Sequence, residues 1–136
     1  MSAKNIIRFL IIPAAVLIAF IAVCYSVDSE TNSTNIKYIN SCRWQVEERC
    51  ADISYITIPE EFDKIFTGYN EIQKRQGLDL SKYKKKKVMR YTYEITNYEG
   101  EEGKVYANVI VYRNRVIGGD ICSARADGFI HGFEKP

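Results

Sequence analysis

Hydrophobic and polar positions alternate most cleanly between Val88 and Ser123, and the rest of the chain is arranged around that stretch. It reads VMRYTYEIT, a charged turn NYEGEEG, then KVYANVIVY, a tight Arg113-Asn114 connection, then RVIGGDICS. Met89, Tyr91, Tyr93 and Ile95 share one face of the first run, and Arg90, Thr92 and Glu94 the other. That period of two predicts a strand with a dry side and a wet side. The second run is apolar on both faces and reads as a central strand, with Val105, Ala107, Val109 and Val111 alternating with Tyr106, Asn108, Ile110 and Tyr112. Asn114 suits the left-handed backbone of a two-residue hairpin. Gly118 and Gly119 mark a bulge or a close approach of backbone in the third run. An antiparallel meander is therefore expected.

Upstream, the period changes. Phe62, Ile65, Phe66, Tyr69 and Ile72 form one helical stripe that ends at Lys74-Arg75-Gln76-Gly77, with Gly77 as its left-handed cap. Pro59-Glu60-Glu61 reads as its entry, with both acids in the first turn. Ala51 to Ile58 is a β-branched strand candidate, and a shorter helix is expected from Thr34 or Asn35, bearing Ile36, Ile39 and Arg43 on one face. Trp44 is expected in the core. The four lysines at 84–87 read as a solvated strand entry that discourages edge pairing. In the tail, Asp127-Gly128 suggests a turn, and Phe129, Ile130 and Phe133 are expected to fold back on the sheet.

The first 27 residues differ in kind. Lys4 and Arg8 precede a nearly unbroken apolar run, and Asp28 and Glu30 follow it. As a helix, residues 6–27 would be about 33 Å long, enough for a bilayer core. Basic flanks before the run and acidic ones after it orient it N-in. An uncleaved anchor fits better than a cleaved leader, for which Cys24-Tyr25-Ser26 is a poor site, or a lipidated Cys24, which Val23 precedes. The expected organisation is a cytoplasmic tip and transmembrane anchor at 1–27, a linker at 28–35 (DSETNSTN), and an extracytoplasmic domain at 36–136. Its fold class is α+β, of order α-β-α-β-β-β, with an antiparallel sheet packed by helices.

Of 19 basic residues, only Lys4 and Arg8 precede Asp28, while all 17 acidic ones follow Val27. Residues 28–136 are thus formally neutral, which excludes strong nucleic-acid binding. Three cysteines lie in that domain. Cys42 and Cys50 are close enough in sequence for a possible disulfide outside the membrane. The densest polar group is Asp120, Cys122, Ser123, Asp127 and His131. Cys122 as thiolate, His131 as base and Asp127 as its orienter would make a thiol enzyme or redox protein, but no local protease signature surrounds the cysteine. With one histidine and no paired cysteine spacing, no metal site is expected. Gly118-Gly119-Asp120 lacks the spacing and lysine of a phosphate loop, and no cofactor is expected. Asp120, Tyr91 and Tyr93 are the candidates for binding, in a chain rich in strand tyrosines.

Several strings together are distinctive: Trp44-Gln45-Val46, Thr57-Ile58-Pro59-Glu60-Glu61-Phe62, Tyr69-Asn70 with Gln73, Gly77-Leu78-Asp79-Leu80, Arg90-Tyr91-Thr92-Tyr93 with Asn97-Tyr98, and VIGGDICS…DGFIHGF from Val116 to Phe133. From about Tyr38 onward the chain resembles a family of small bacterial proteins, mostly from Firmicutes, known as a domain of unknown function and typically carrying an N-terminal membrane segment. The resemblance implies the extracytoplasmic location and the element order, and no reaction. Cys42-Arg43 stand where the family pattern has a tyrosine and a glycine, so a Cys42–Cys50 bridge would be particular to this chain. The expected function is a non-catalytic, membrane-held binding module of the cell envelope, partnered by a protein or peptide.

Overall fold

The computed structural model describes residues 28–136. The expected anchor at residues 6–27 lies outside them, and among the described residues no helix is long and apolar enough to cross a membrane. The domain is α+β, with two α-helices and one five-stranded sheet. The helices are α1 (Ser29–Ser41) and α2 (Lys64–Arg75). The strands are β1 (Asp52–Thr57), β2 (Lys87–Glu94), β3 (Val105–Tyr112), β4 (Arg115–Ser123) and β5 (Ile130–His131). They pair antiparallel in sequence order, so the meander extends from β1 to β5. The 113–114 connection forms as expected, with both residues left-handed (φ 49° and 62°).

The register assigns the sheet two faces. Val88, Ile110 and Ile117 pack under α2 with Ile58, Phe66, Tyr69 and Leu80. On the other face Tyr91, Tyr93, Val109 and Ile121 pack with Ile39 of α1, Trp44 and Phe133. Both faces therefore carry a buried core, and the side of β2 expected to be wet is so only in part: Arg90 is 4% exposed, while Thr92 and Glu94 are half-buried. Alternation of polar residues reported the face correctly but not its burial, because polar groups on α2 meet those on the sheet.

Two helix starts differ from expectation. α1 begins at Ser29, capped by Asp28, whose carboxylate accepts the Thr31 N–H at 3.2 Å. The 28–35 stretch is thus helix rather than linker. Its inward side chains are asparagines, which bind by hydrogen bonds instead of apolar contact. Tyr93 Oη donates to Asn32 Oδ1 (2.7 Å) and accepts from Asn35 Nδ2 (3.2 Å). Arg43 lies past the helix end with φ 70° and shares no helical face with Ile39. α2 starts at Lys64, with Asp63 accepting the Phe66 N–H at 2.7 Å, so Glu60 and Glu61 precede it. Its end is as read: Gly77 has φ 78°, and the Leu78 and Gly77 N–H groups reach back to the carbonyls of Gln73 and Lys74.

After α2 a short 3-10 turn, Leu80–Tyr83, carries Leu80 into the core. Asp79 holds it, accepting from Asn70 Nδ2 (2.9 Å), Ser81 Oγ (2.6 Å) and the Ser81 N–H (2.9 Å). The Asn70 and Ser81 bonds lower its pKa to about 2. Because the folded value lies below the ordinary 3.8, this stabilisation is complete above that value and is lost as pH falls toward 2. Asp79→Ala should therefore lower the urea midpoint at pH 7, and its deficit against the parent should shrink as the two are compared at falling pH.

Candidate functional site

The register places Thr92, Asn108 and Asp120 side by side across β2, β3 and β4, beneath α2. There they form one buried chain of hydrogen bonds. Tyr69 Oη donates to Asp120 Oδ2 at 2.7 Å, and Asn108 Nδ2 to Asp120 Oδ1 at 3.0 Å. Thr92 Oγ1 donates to Asn108 Oδ1 at 2.7 Å, and Asn108 Nδ2 also lies 3.4 Å from Cys122 Sγ. Burial pushes the Asp120 carboxyl above its usual range, against the pull of Tyr69, Asn108 and the Arg90 charge. Asp52 shifts the same way, raised by burial and drawn down by Arg90. Asp52 Oδ1 and Arg90 Nε are both buried, and neither has a hydrogen-bond partner among the described residues.

The backbone at the glycine pair is held by Gln73. The Gly119 N–H donates to Gln73 Oε1 (2.8 Å), and Gln73 Nε2 donates to the Gly119 carbonyl (2.9 Å). β5 pairs with β4 only at Ile121 and Cys122. Where β5 is too short to reach, the Gln73 carboxamide supplies the next rung of the ladder. Gln76 braces it, donating to Gln73 Oε1 (2.8 Å) while its own Oε1 accepts the Phe133 N–H (2.9 Å). The Phe133 carbonyl accepts from Trp44 Nε1 at 2.7 Å, so the tail passes around the end of the sheet and ties both layers together.

The thiol-enzyme constellation is not assembled. Cys122 pairs with Ile130, and His131 with Ile121. Because neighbouring strand residues face opposite ways, Cys122 and His131 point to opposite faces of the sheet. Cys122 is 4% exposed, and burial, seconded by the Asp120 charge, pushes its thiol far up. His131 Nδ1 donates to the Gly132 carbonyl (2.6 Å), and the Tyr98 hydroxyl donates to its Nε2 (2.8 Å). Trp44, Tyr98, Phe129 and His131 stack in succession, with neighbouring centroids 5.0–5.4 Å apart. Asp127 is exposed in the turn after β4, paired with Arg125 at 3.3 Å.

The other candidates are structural. Tyr93 is fully buried and Tyr91 8% exposed, so neither offers a binding surface. No disulfide joins Cys42 and Cys50. Cys50 Sγ donates to the Asp52 carbonyl at 3.0 Å, which directs it into the sheet. Among the described residues no cluster of three or more His, Cys, Asp or Glu could hold a metal ion.

A recess lies elsewhere. A groove of about 610 Å³ opens between α2 and β5, bordered by the tail at Glu134–Pro136. Gly68, Ile72, Gln76, Ile130 and Gly132 line it, and of the candidate catalytic and binding residues only His131 is among the lining. Its signal was two residues of strand, too short for any periodicity to reveal.

The model of one family, described as a domain of unknown function (DUF4830), matches residues 23–121. No curated protein and no solved structure matches the chain.

Proposed function

We propose, from the premise that the chain belongs to this family of unknown function, that it is a membrane-held binding module of the cell envelope. Residues 6–27 serve as a single-pass anchor with the N-terminus inside, and the domain at 28–136 faces outward and works by contact. The apolar run, its flanking charges and the neutral balance of the domain support the location. One observation carries the contact reading: Asp120, Cys122 and His131 are engaged in the fold, while the open groove beside β5 is lined by helix and strand edge.

The test uses the full chain in a bacterial host. It should stay with membranes through an alkaline carbonate wash and be clipped by protease added to spheroplasts. Recovery in the cytosolic fraction would end the anchor reading. In the folded protein Cys122 should resist a thiol reagent until denaturant is added. Fast labelling below pH 7 would instead favour the thiol-dependent alternative.

A further inference from the structure

The Ser123 N–H bonds the Phe129 carbonyl at 3.0 Å, one step along the ladder from the Cys122–Ile130 pair. In an antiparallel ladder hydrogen-bonded and non-hydrogen-bonded pairs alternate, so Cys122–Ile130 is a non-hydrogen-bonded pair. The Ile130 N–H and C=O therefore point away from β4, out of the sheet's open edge, and Ile130 is one of the residues that line the groove. One rung inward, the same edge at Gly119 is closed by the Gln73 carboxamide. At Ile130 no described residue supplies a rung.

We infer that this groove receives an extended peptide segment of a partner protein, added as a sixth strand beside β5, with α2 as one wall and the tail as the other. The inference rests on the binding-module reading. An extended backbone repeats, along its length, the donor and acceptor that the Gln73 carboxamide offers once at Gly119. The rim bears Glu71 and Glu134 against Arg75 and Lys135, one balanced set of charges, which suits recognition through the main chain. The floor, Ile72 and Ile130 with the bare backbone of Gly132, admits an apolar side chain. The opposite edge, β1, is the rival site. By the same phase it exposes the backbone of Ile53, Tyr55 and Thr57, but Lys87 lies over the Tyr55 ring at 4.4 Å, and charged lysine beside an edge discourages pairing.

The probe is a phage-displayed library of random nonapeptides, panned on the full chain in detergent micelles. An enriched peptide should shift the amide resonances of Ile130, His131 and Gly132. Methylating its backbone nitrogens at alternate positions should weaken binding at least tenfold in one phase and little in the other. Gly68→Arg, which fills the groove from the helix side, should weaken it comparably with the thermal midpoint unchanged. Equal tolerance of N-methylation in both phases would overturn the inference, whatever the variant does. So would shifts at Ile53, Tyr55 and Thr57 instead, or failure to enrich any peptide. Self-association with protected Ile130 in the peptide-free protein would overturn it too, in favour of a second copy. A peptide bound at another face would sink strand addition yet leave the binding module standing, whereas turnover dependent on Cys122 would sink both.

Discussion

Gly119→Ala should destabilise the domain by about 3 kcal/mol or more, toward the upper end of what overpacking costs. A methyl group there would overlap the Asn108 carbonyl oxygen and come within 2.5 Å of Phe133 Cζ. The first obstacle is backbone in the centre of the sheet and cannot swing aside. The second is the ring that anchors the tail. Gly118→Ala is the control, because its methyl would sit 3.1 Å from Gln73 Oε1 and Leu80 Cδ2, both on side chains. A few tenths of an ångström of adjustment would suffice, so the cost should stay under about 1.5 kcal/mol. Urea melts of both variants measure the contrast, and equal losses would mean that the adjacent glycines act only through backbone freedom.

Asp120→Ala is the second large effect. It strips the acceptor from both Tyr69 and Asn108 in a fully buried place. Leaving two donors unsatisfied costs about 1–3 kcal/mol each, so a loss of about 3 kcal/mol or more is expected. Asp120→Asn separates charge from hydrogen bonding. With a folded pKa raised above the ordinary carboxylate value, the Asp120 contribution is fully present below that value. It declines as pH rises through the raised one. The asparagine variant should lose that part of the pH dependence, read from urea midpoints across the acid range. In neither variant should Cys122 become reactive while the protein stays folded, since burial is the larger cause of its suppression.

Much of this fold was legible because it rests on local signals. The Phe66–Tyr69 stripe, the Gly77 cap and the Arg113-Asn114 hairpin each need only a few neighbouring residues, and Gly118-Gly119 announced the close approach that Gln73 and Phe133 make. What escaped depends on partners far along the chain. Asn32 and Asn35 read as linker because their value lies in Tyr93, about sixty positions away. Arg90 read as solvent-facing because nothing nearby says that α2 will cover it. Asp120 stood out in the sequence, but its partners Tyr69 and Asn108 sit 51 and 12 positions away, and only the register brings them together. The groove beside β5 needs helix, strand and tail at once, so no single stretch could reveal it.

α1 begins at Ser29, just after its cap Asp28, and Asn32 and Asn35 in its first turns are fastened to the middle of the sheet through Tyr93. A pull applied at position 28 is borne by β2 almost at once, without a swivel to absorb it. Tension applied at the start of α1 would therefore be felt in the sheet.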